Sequence, residues 1–166
     1  MEVSVEQSKT IQTRLVLPSD TNHLGTIFGG TVLAYIDEIA AISAMRHARK
    51  AVVTVSIDKV DFISSAKVGD ILKLEAFVYS TGRTSMKVFV KVETEDLFTG
   101  EHHLTTTCFL TMVAIDQNKN RPLFQKSPFA NRRNKSYNCI SKTNETTRHS
   151  IHSYKKHTSD YVYRDP

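Results

Sequence analysis

The sequence predicts an α+β domain in which an antiparallel β-sheet wraps a long central helix. Three observations carry this. The run Thr31 to Met45 (TVLAYIDEIAAISAM) is rich in Ala, Leu and Ile and free of Pro and Gly. One strand-like run precedes it, and only strand-like runs joined by short turns follow it. A sheet around one helix satisfies that order with short connections.

The elements follow in turn. Thr10 to Leu17 (TIQTRLVL) sets Ile11, Leu15 and Leu17 among polar residues, as a strand does. Pro18-Ser19-Asp20 ends it, because proline cannot continue a ladder. The loop TNHLGTIFGG holds Gly25, Gly29 and Gly30. The helix then carries only Asp37 and Glu38 as charges between Thr31 and Met45. Being apolar nearly all round, it is expected to lie buried in its domain. Arg46, His47, Arg49 and Lys50 close it, where cations oppose the helix dipole. Val52 to Val60 is β-branched and roughly alternating, Ile71 to Ser80 is a second such run, and Thr81-Gly82-Arg83 turns a hairpin. Ser85 to Glu93 alternates with Met86, Val88, Val90 and Val92 on one face, and after a loop at 97–103, Leu104 to Ile115 is the last strand.

The chain has 166 residues, enough for one domain with a core, with 40% hydrophobic and 23% charged residues. Residues 1–122 read as that domain. Residues 123–166 show no period of 2 or 3.6 and are expected to be disordered or loosely packed. Lys and Arg number 13 against 14 acidic residues in 1–122, and 9 against 3 in 123–166, so the net charge of +5 comes from the tail. The domain itself thus lacks the basic balance of a nucleic-acid binder. No apolar run reaches membrane-spanning length, and the N-terminus does not read as a signal peptide. Two cysteines, Cys108 and Cys139, are too few for a disulfide framework or metal cluster, so a reducing cytoplasm is expected.

Asp37 is the first candidate for chemistry. A carboxylate in an apolar helix must be paired or face a cleft, or else mark a narrow solvated edge. Glu38, a further 100° round, takes the wet or interface position. Gly29-Gly30 precede the helix, where free N–H groups and the dipole suit a developing oxyanion; a tight packing turn is the other reading. Arg83, with Gly82, Thr84 and Ser85, could hold a phosphate or form an ordinary polar turn. His23, His47, His102 and His103 read as structural or exposed, and no zinc spacing, serine elbow or P-loop occurs.

The stretch SDTNHLGTIFGGTVLAYIDEIAAISAM, with Asn22, Gly25, Phe28, Gly29-Gly30 and Asp37 in order, resembles the acyl-CoA thioesterases of the hotdog superfamily. VVTVSIDKVDFISSAKVGD and VYSTGRTSMKVFVKVE agree with the same pattern, and the resemblance spans about residues 8–122. It implies a hotdog fold, domains paired edge to edge, a dimer as the minimal unit and a trimer of dimers as the assembly. It further implies hydrolysis of acyl-CoA to free acid and CoA at the dimer interface, with Asp37 of one subunit facing Asn22 of the other. Thr54 then supports the carboxylate or the water, Gly29 and Gly30 serve the oxyanion, Phe62 lies near the substrate groove, and Gly82 to Ser85 lie near the CoA phosphates. No cofactor or metal is implied beyond the CoA of the substrate. Past Arg121-Pro122 the chain departs from the pattern. A non-catalytic acyl-CoA-sensing module is the alternative; a hydratase would need a placed His, and an interaction protein acting through its tail would bind acidic surfaces.

Overall fold

The computed structural model describes residues 5–115, so the expected division at Pro122 and the tail lie outside it. Within these residues the order is α1 (Val5–Ser8), β1 (Thr10–Leu15), a 3-10 turn (Pro18–Asp20), α2 (Gly29–Ala48), β2 (Val52–Phe62), β3 (Ile71–Thr81), β4 (Ser85–Glu95) and β5 (His102–Ala114). The strands form one five-stranded sheet in the order β1-β3-β4-β5-β2, every pairing antiparallel. This is the sheet around a helix that the sequence predicts, and the hotdog arrangement that the resemblance implies. β1 and β2 are its two edges.

The alternation in β4 fixes the inward face. Met86, Val88, Val90 and Val92 are buried, as are Leu72, Leu74 and Ala76 on β3 and Cys108, Leu110 and Met112 on β5. They pack on Val32, Ile36, Ile39, Ala40 and Ala44 of α2. The opposite face carries an aromatic cluster, Phe77, Phe89, Phe109 and Tyr79, with ring centroids 5.0 to 5.8 Å apart.

α2 departs from expectation. Its buried residues follow one 3.6-residue stripe, while Ala34, Glu38 and Met45 are exposed. The helix is therefore buried along one face rather than all round. Apolar Ala34 and Met45 on the outward side make its composition read as buried. It ends at Arg49, whose φ of 53° is the left-handed turn of a C-cap.

β1 stops at Leu15, two residues earlier than expected, because Val16 N–H turns to Asp70 O at 3.0 Å. β5 begins at His102 rather than Leu104, and α1 is a single turn that the sequence did not announce. α1 delivers Ser8, whose buried hydroxyl accepts from Val78 N–H at 3.0 Å, just past the last β1 partner of β3, Ala76.

Two bulges set the register of β2, between Thr54 and Ser56 and between Ile57 and Lys59. Strict alternation from Thr54 would turn polar Ser56 and Asp58 toward the helix. With the bulges, Ile57 pairs with inward Leu110 and Ser56 with outward Thr111. Thr54, Val60 and Phe62 still pair with the inward Met112, Cys108 and Thr106.

Candidate active site

Asp37 lies two turns into α2 and is half-buried. Thr54 Oγ1 donates to its Oδ1 at 2.6 Å, and the same hydroxyl lies 3.3 Å from Met112 Sδ. Thr54 was reached from sequence only by resemblance; its physical role is to fix the carboxylate from the neighbouring strand. Glu38 points the other way and pairs with Arg14, whose guanidinium stacks 4.2 Å from the Tyr35 ring centroid. Asp37 is thus left without a cationic partner, and its second oxygen without a hydrogen bond, among the described residues.

At the helix start, Phe28 O accepts from Thr31 and Val32 N–H at 2.9 and 3.2 Å. The N–H groups of Gly29 and Gly30 have no intrahelical acceptor by helix geometry. A Cβ on Gly29 would meet Phe62 Cζ at 3.5 Å, so the ring of Phe62 lies against the helix N-terminus. Beside them opens a cavity of about 370 Å³ lined by Ile27, Val32, Phe62, Ile63, Thr105 and Thr106 among others.

Asn22 sits in the loop that feeds this helix. Its Oδ1 accepts from Leu24 N–H at 2.8 Å, and its Nδ2 donates to Thr26 Oγ1 at 3.1 Å. The loop is anchored by Ile27 N–H on Ala66 O and Phe28 N–H on Asp20 O, both at 2.8 Å. Asn22 makes no hydrogen bond with Asp37 of the same chain. Gly82 N–H donates to Ser85 O at 2.7 Å to close the β3–β4 hairpin, whose Arg83 and Thr84 are exposed.

The candidate residues therefore divide between two ends of the sheet. Thr54 pairs with Met112, which pairs with Met86 beside the Gly82 to Ser85 turn. Phe62 pairs with Thr106, which pairs with Val92 at the far end. Gly29, Phe62 and the Asn22 loop share that far end. Along α2, Gly29 and Asp37 stand eight residues apart, about 12 Å.

A second polar cluster lies on the outward face. Asp58 accepts from Lys87 Nζ at 2.6 Å and Thr111 Oγ1 at 2.8 Å, and from Ser56. Burial opposes its charge, but these bonds outweigh it and hold the carboxyl below the usual range. Each polar group there is satisfied, which fits a structural role at the bulge. Burial and the nearby Asp58 charge push the Tyr79 hydroxyl up to about 12. Burial, then the charges of Asp58, Asp37 and Asp61, push the Cys108 thiol to about 12, which makes it inert. His23, His102 and His103 are exposed, and no cluster of three or more His, Cys, Asp or Glu suited to a metal occurs among the described residues. No helix among them is long and apolar enough to cross a membrane.

Comparison with known proteins agrees with this architecture. Residues 24–99 match the thioesterase superfamily pattern. The uncharacterized acyl-CoA thioester hydrolase YkhA of Bacillus subtilis is 50% identical over 68% of this chain, which spans 66% of that relative's length. An acyl-CoA thioester hydrolase of Haemophilus influenzae is 36% identical, with 63% of this chain and 70% of that one covered. Among solved structures, an apo-hexameric acyl-CoA thioesterase superposes with a TM-score of 0.71 at 54% identity, covering 98% of both chains. The acyl-CoA hydrolase of Staphylococcus aureus, in complex with butyryl-CoA, CoA and CoA disulfide, gives 0.68 at 49% identity, covering 69% of this chain and 70% of that one. The same Staphylococcus enzyme has been solved with alanine in place of one asparagine, one threonine and one aspartate.

Proposed function

From the premise that this chain belongs to the thioesterase superfamily and is an acyl-CoA thioester hydrolase, we propose that Asp37 drives hydrolysis at a site shared between two copies of the chain. The observation that carries this is the separation of the candidate residues to opposite ends of one sheet. β2 is an edge strand. If it pairs antiparallel with β2 of a second copy about a two-fold axis, the Thr54 end of one copy meets the Phe62 end of the other. Asp37 and Thr54 of one copy then face Gly29, Gly30, Phe62 and Asn22 of the second. Val55 and Ile57 on β2 are 59% and 42% exposed, apolar surface that such pairing would cover.

The chemistry follows from the donors. The Asp37 carboxylate takes a proton from water while the water oxygen bonds to the thioester carbonyl carbon. The N–H of Gly30 stabilises the oxyanion, and Asn22 orients the water or carbonyl. The tetrahedral adduct breaks its C–S bond, the CoA thiolate leaves and is protonated, and the free acid remains. Thr54 holds the carboxylate toward the reacting carbon. In the alternative route, Asp37 attacks directly and a mixed anhydride is hydrolysed. Single turnover in ¹⁸O-water separates the two: the general-base route puts the label in the free acid, whereas opening the anhydride at the Asp37 carbonyl leaves the acid unlabelled and the label in the Asp37 carboxylate. Gly82 to Ser85 of the Asp37-bearing copy lie at the same sheet end and are suited to the CoA phosphates. This chemistry needs no group beyond the CoA of the substrate.

The sequence separations of Asn22, Asp37 and Thr54 equal those of the asparagine, aspartate and threonine replaced in the Staphylococcus enzyme, which supports the assignment. Two of the similar structures are hexameric, which supports a trimer of such dimers. The test is release of free CoA from a panel of acyl-CoAs by wild type and Asp37→Ala. Turnover that collapses in the variant supports the reading. Binding of acyl-CoA by wild type without release would replace the hydrolase with a sensor.

A further inference from the structure

We propose that Thr106 makes the cavity selective for short acyl groups that carry their own oxygen, such as hydroxyacyl or ketoacyl groups. The inference rests on the hydrolase reading above and names the substrate class within it.

Three buried side-chain polar atoms lack a hydrogen-bond partner among the described residues: Ser43 Oγ, His47 Nδ1 and Thr106 Oγ1. Ser43 and His47 stand one turn apart on α2, away from the cavity lining. Thr106 alone lines the cavity. It is 0% exposed and sits on the inward face of β5, paired across the sheet with Val92 and Phe62. The neighbouring inward positions of β4 are Val88, Val90 and Val92. A valine has the shape of threonine and would fill this site with no unpaired oxygen. The other bonded hydroxyls of the lining are committed elsewhere. Ser64 Oγ donates to Leu104 O at 2.8 Å, and Thr105 Oγ1 reaches His103 O at 3.4 Å and Thr94 Oγ1 at 3.5 Å.

Ile27, Val32, Phe62 and Ile63 supply an apolar wall. That wall suits a hydrocarbon chain and not the charged phosphates of CoA. A hydroxyl that can both donate and accept, set in the floor of an apolar cavity, favours the ligand that completes its hydrogen bond over an equal-length chain that cannot. The occupant is therefore an acyl chain with an oxygen near its middle or end.

The experiment compares kcat/KM for butyryl-CoA with its 2-, 3- and 4-hydroxy and 3-keto counterparts, in wild type, Thr106→Val and Thr106→Ser. Wild type is expected to favour one of the oxygenated substrates by about fivefold to tenfold over butyryl-CoA. Thr106→Val should lower kcat/KM for the oxygenated substrate to that for butyryl-CoA, and Thr106→Ser should retain the preference in part. An unchanged ratio in Thr106→Val overturns the proposal. So does a uniform loss on every substrate, which would place the hydroxyl against the shared CoA portion. Thermal unfolding gives an independent readout. Thr106→Val should leave the melting temperature unchanged or higher; a lower value would mean that the hydroxyl has a structural partner, which also overturns it. If wild type releases CoA from nothing, the hydrolase reading fails. Calorimetric binding of the same pairs to wild type and Thr106→Val then decides the selectivity on its own.

Discussion

The hydroxyl of Thr54, on an edge strand, donates to the carboxylate of Asp37, in the middle of the long helix, at 2.6 Å. This bond crosses from sheet to helix and fixes one carboxylate oxygen, which under the proposed mechanism leaves the other for the reacting water. Thr54→Val keeps shape and removes the donor. It should lower kcat by about tenfold to a hundredfold, as for a hydrogen bond to a charged group. Asp37→Asn should lower it by about 10² to 10⁴. Because Thr54 is exposed, its variant should unfold within about 0.5 kcal/mol of wild type in urea. A Thr54→Val enzyme with full kcat would remove the residue from the site.

The proposed sharing of the site between copies has a direct consequence. Asn22→Ala and Asp37→Ala homo-oligomers should each be nearly inactive. Unfolding an equal mixture and refolding it together should restore about a quarter of wild-type activity, since half of the dimers carry one intact site. Absence of recovery, with hybrids shown by mass spectrometry, would place all the residues of a site in one copy.

Gly30 offers a steric test of the helix N-terminus. A Cβ there would lie 2.5 Å from Phe28 Cε1, but Phe28 is 58% exposed and its ring can swing aside. Gly30→Ala should therefore change stability by no more than about 1 kcal/mol, helix propensity offsetting the clash. It should still reduce kcat, because the displaced ring crowds the N–H proposed to meet the oxyanion. Gly29→Ala, with its nearest contact at 3.5 Å, should cost less activity. The order of the two variants in kcat, at matched melting temperatures, checks this.

His47 predicts an acid limit. Burial holds its imidazole below the ordinary histidine range, so the folded chain prefers it neutral. A depressed value means that the stability it contributes is full above about pH 6.5 and is lost as pH falls through the folded value. Urea midpoints should fall between pH 7 and pH 5, and His47→Gln should flatten that slope. Equal slopes in both proteins would assign the loss to other groups. The bonded carboxylate of Asp58 would add its own loss only at lower pH, where it begins to protonate.

Much of the fold could be read from the chain because its signals are local. The even-numbered apolar residues of β4 name their own face, and the long Pro-free run names the helix. Asp37 stood out as a charge among apolar residues. Other features depend on contacts that no local pattern carries. The bulges in β2 move Ser56 and Asp58 off the inward face, and only pairing with β5 reveals them. Thr54 gained a physical reason only when the strand met the helix. Thr106 was invisible in Thr105-Thr106-Thr107, which reads as ordinary β-strand composition; its meaning lies in an unpaired oxygen at a cavity. The outward stripe of α2 reads as buried because its exposed Ala34 and Met45 are apolar residues that suit a buried face and an open one alike.

The free edge of β2 bears on how the molecule behaves in dilute solution. An eleven-residue strand at a sheet edge among the described residues, with exposed Val55 and Ile57, offers an open ladder to another chain. Under the proposed pairing, folding and association become one equilibrium, governed by mass action. The melting temperature then has no single value. It climbs as the protein is concentrated, and at the highest dilutions activity decays with a delay set by how fast the copies part.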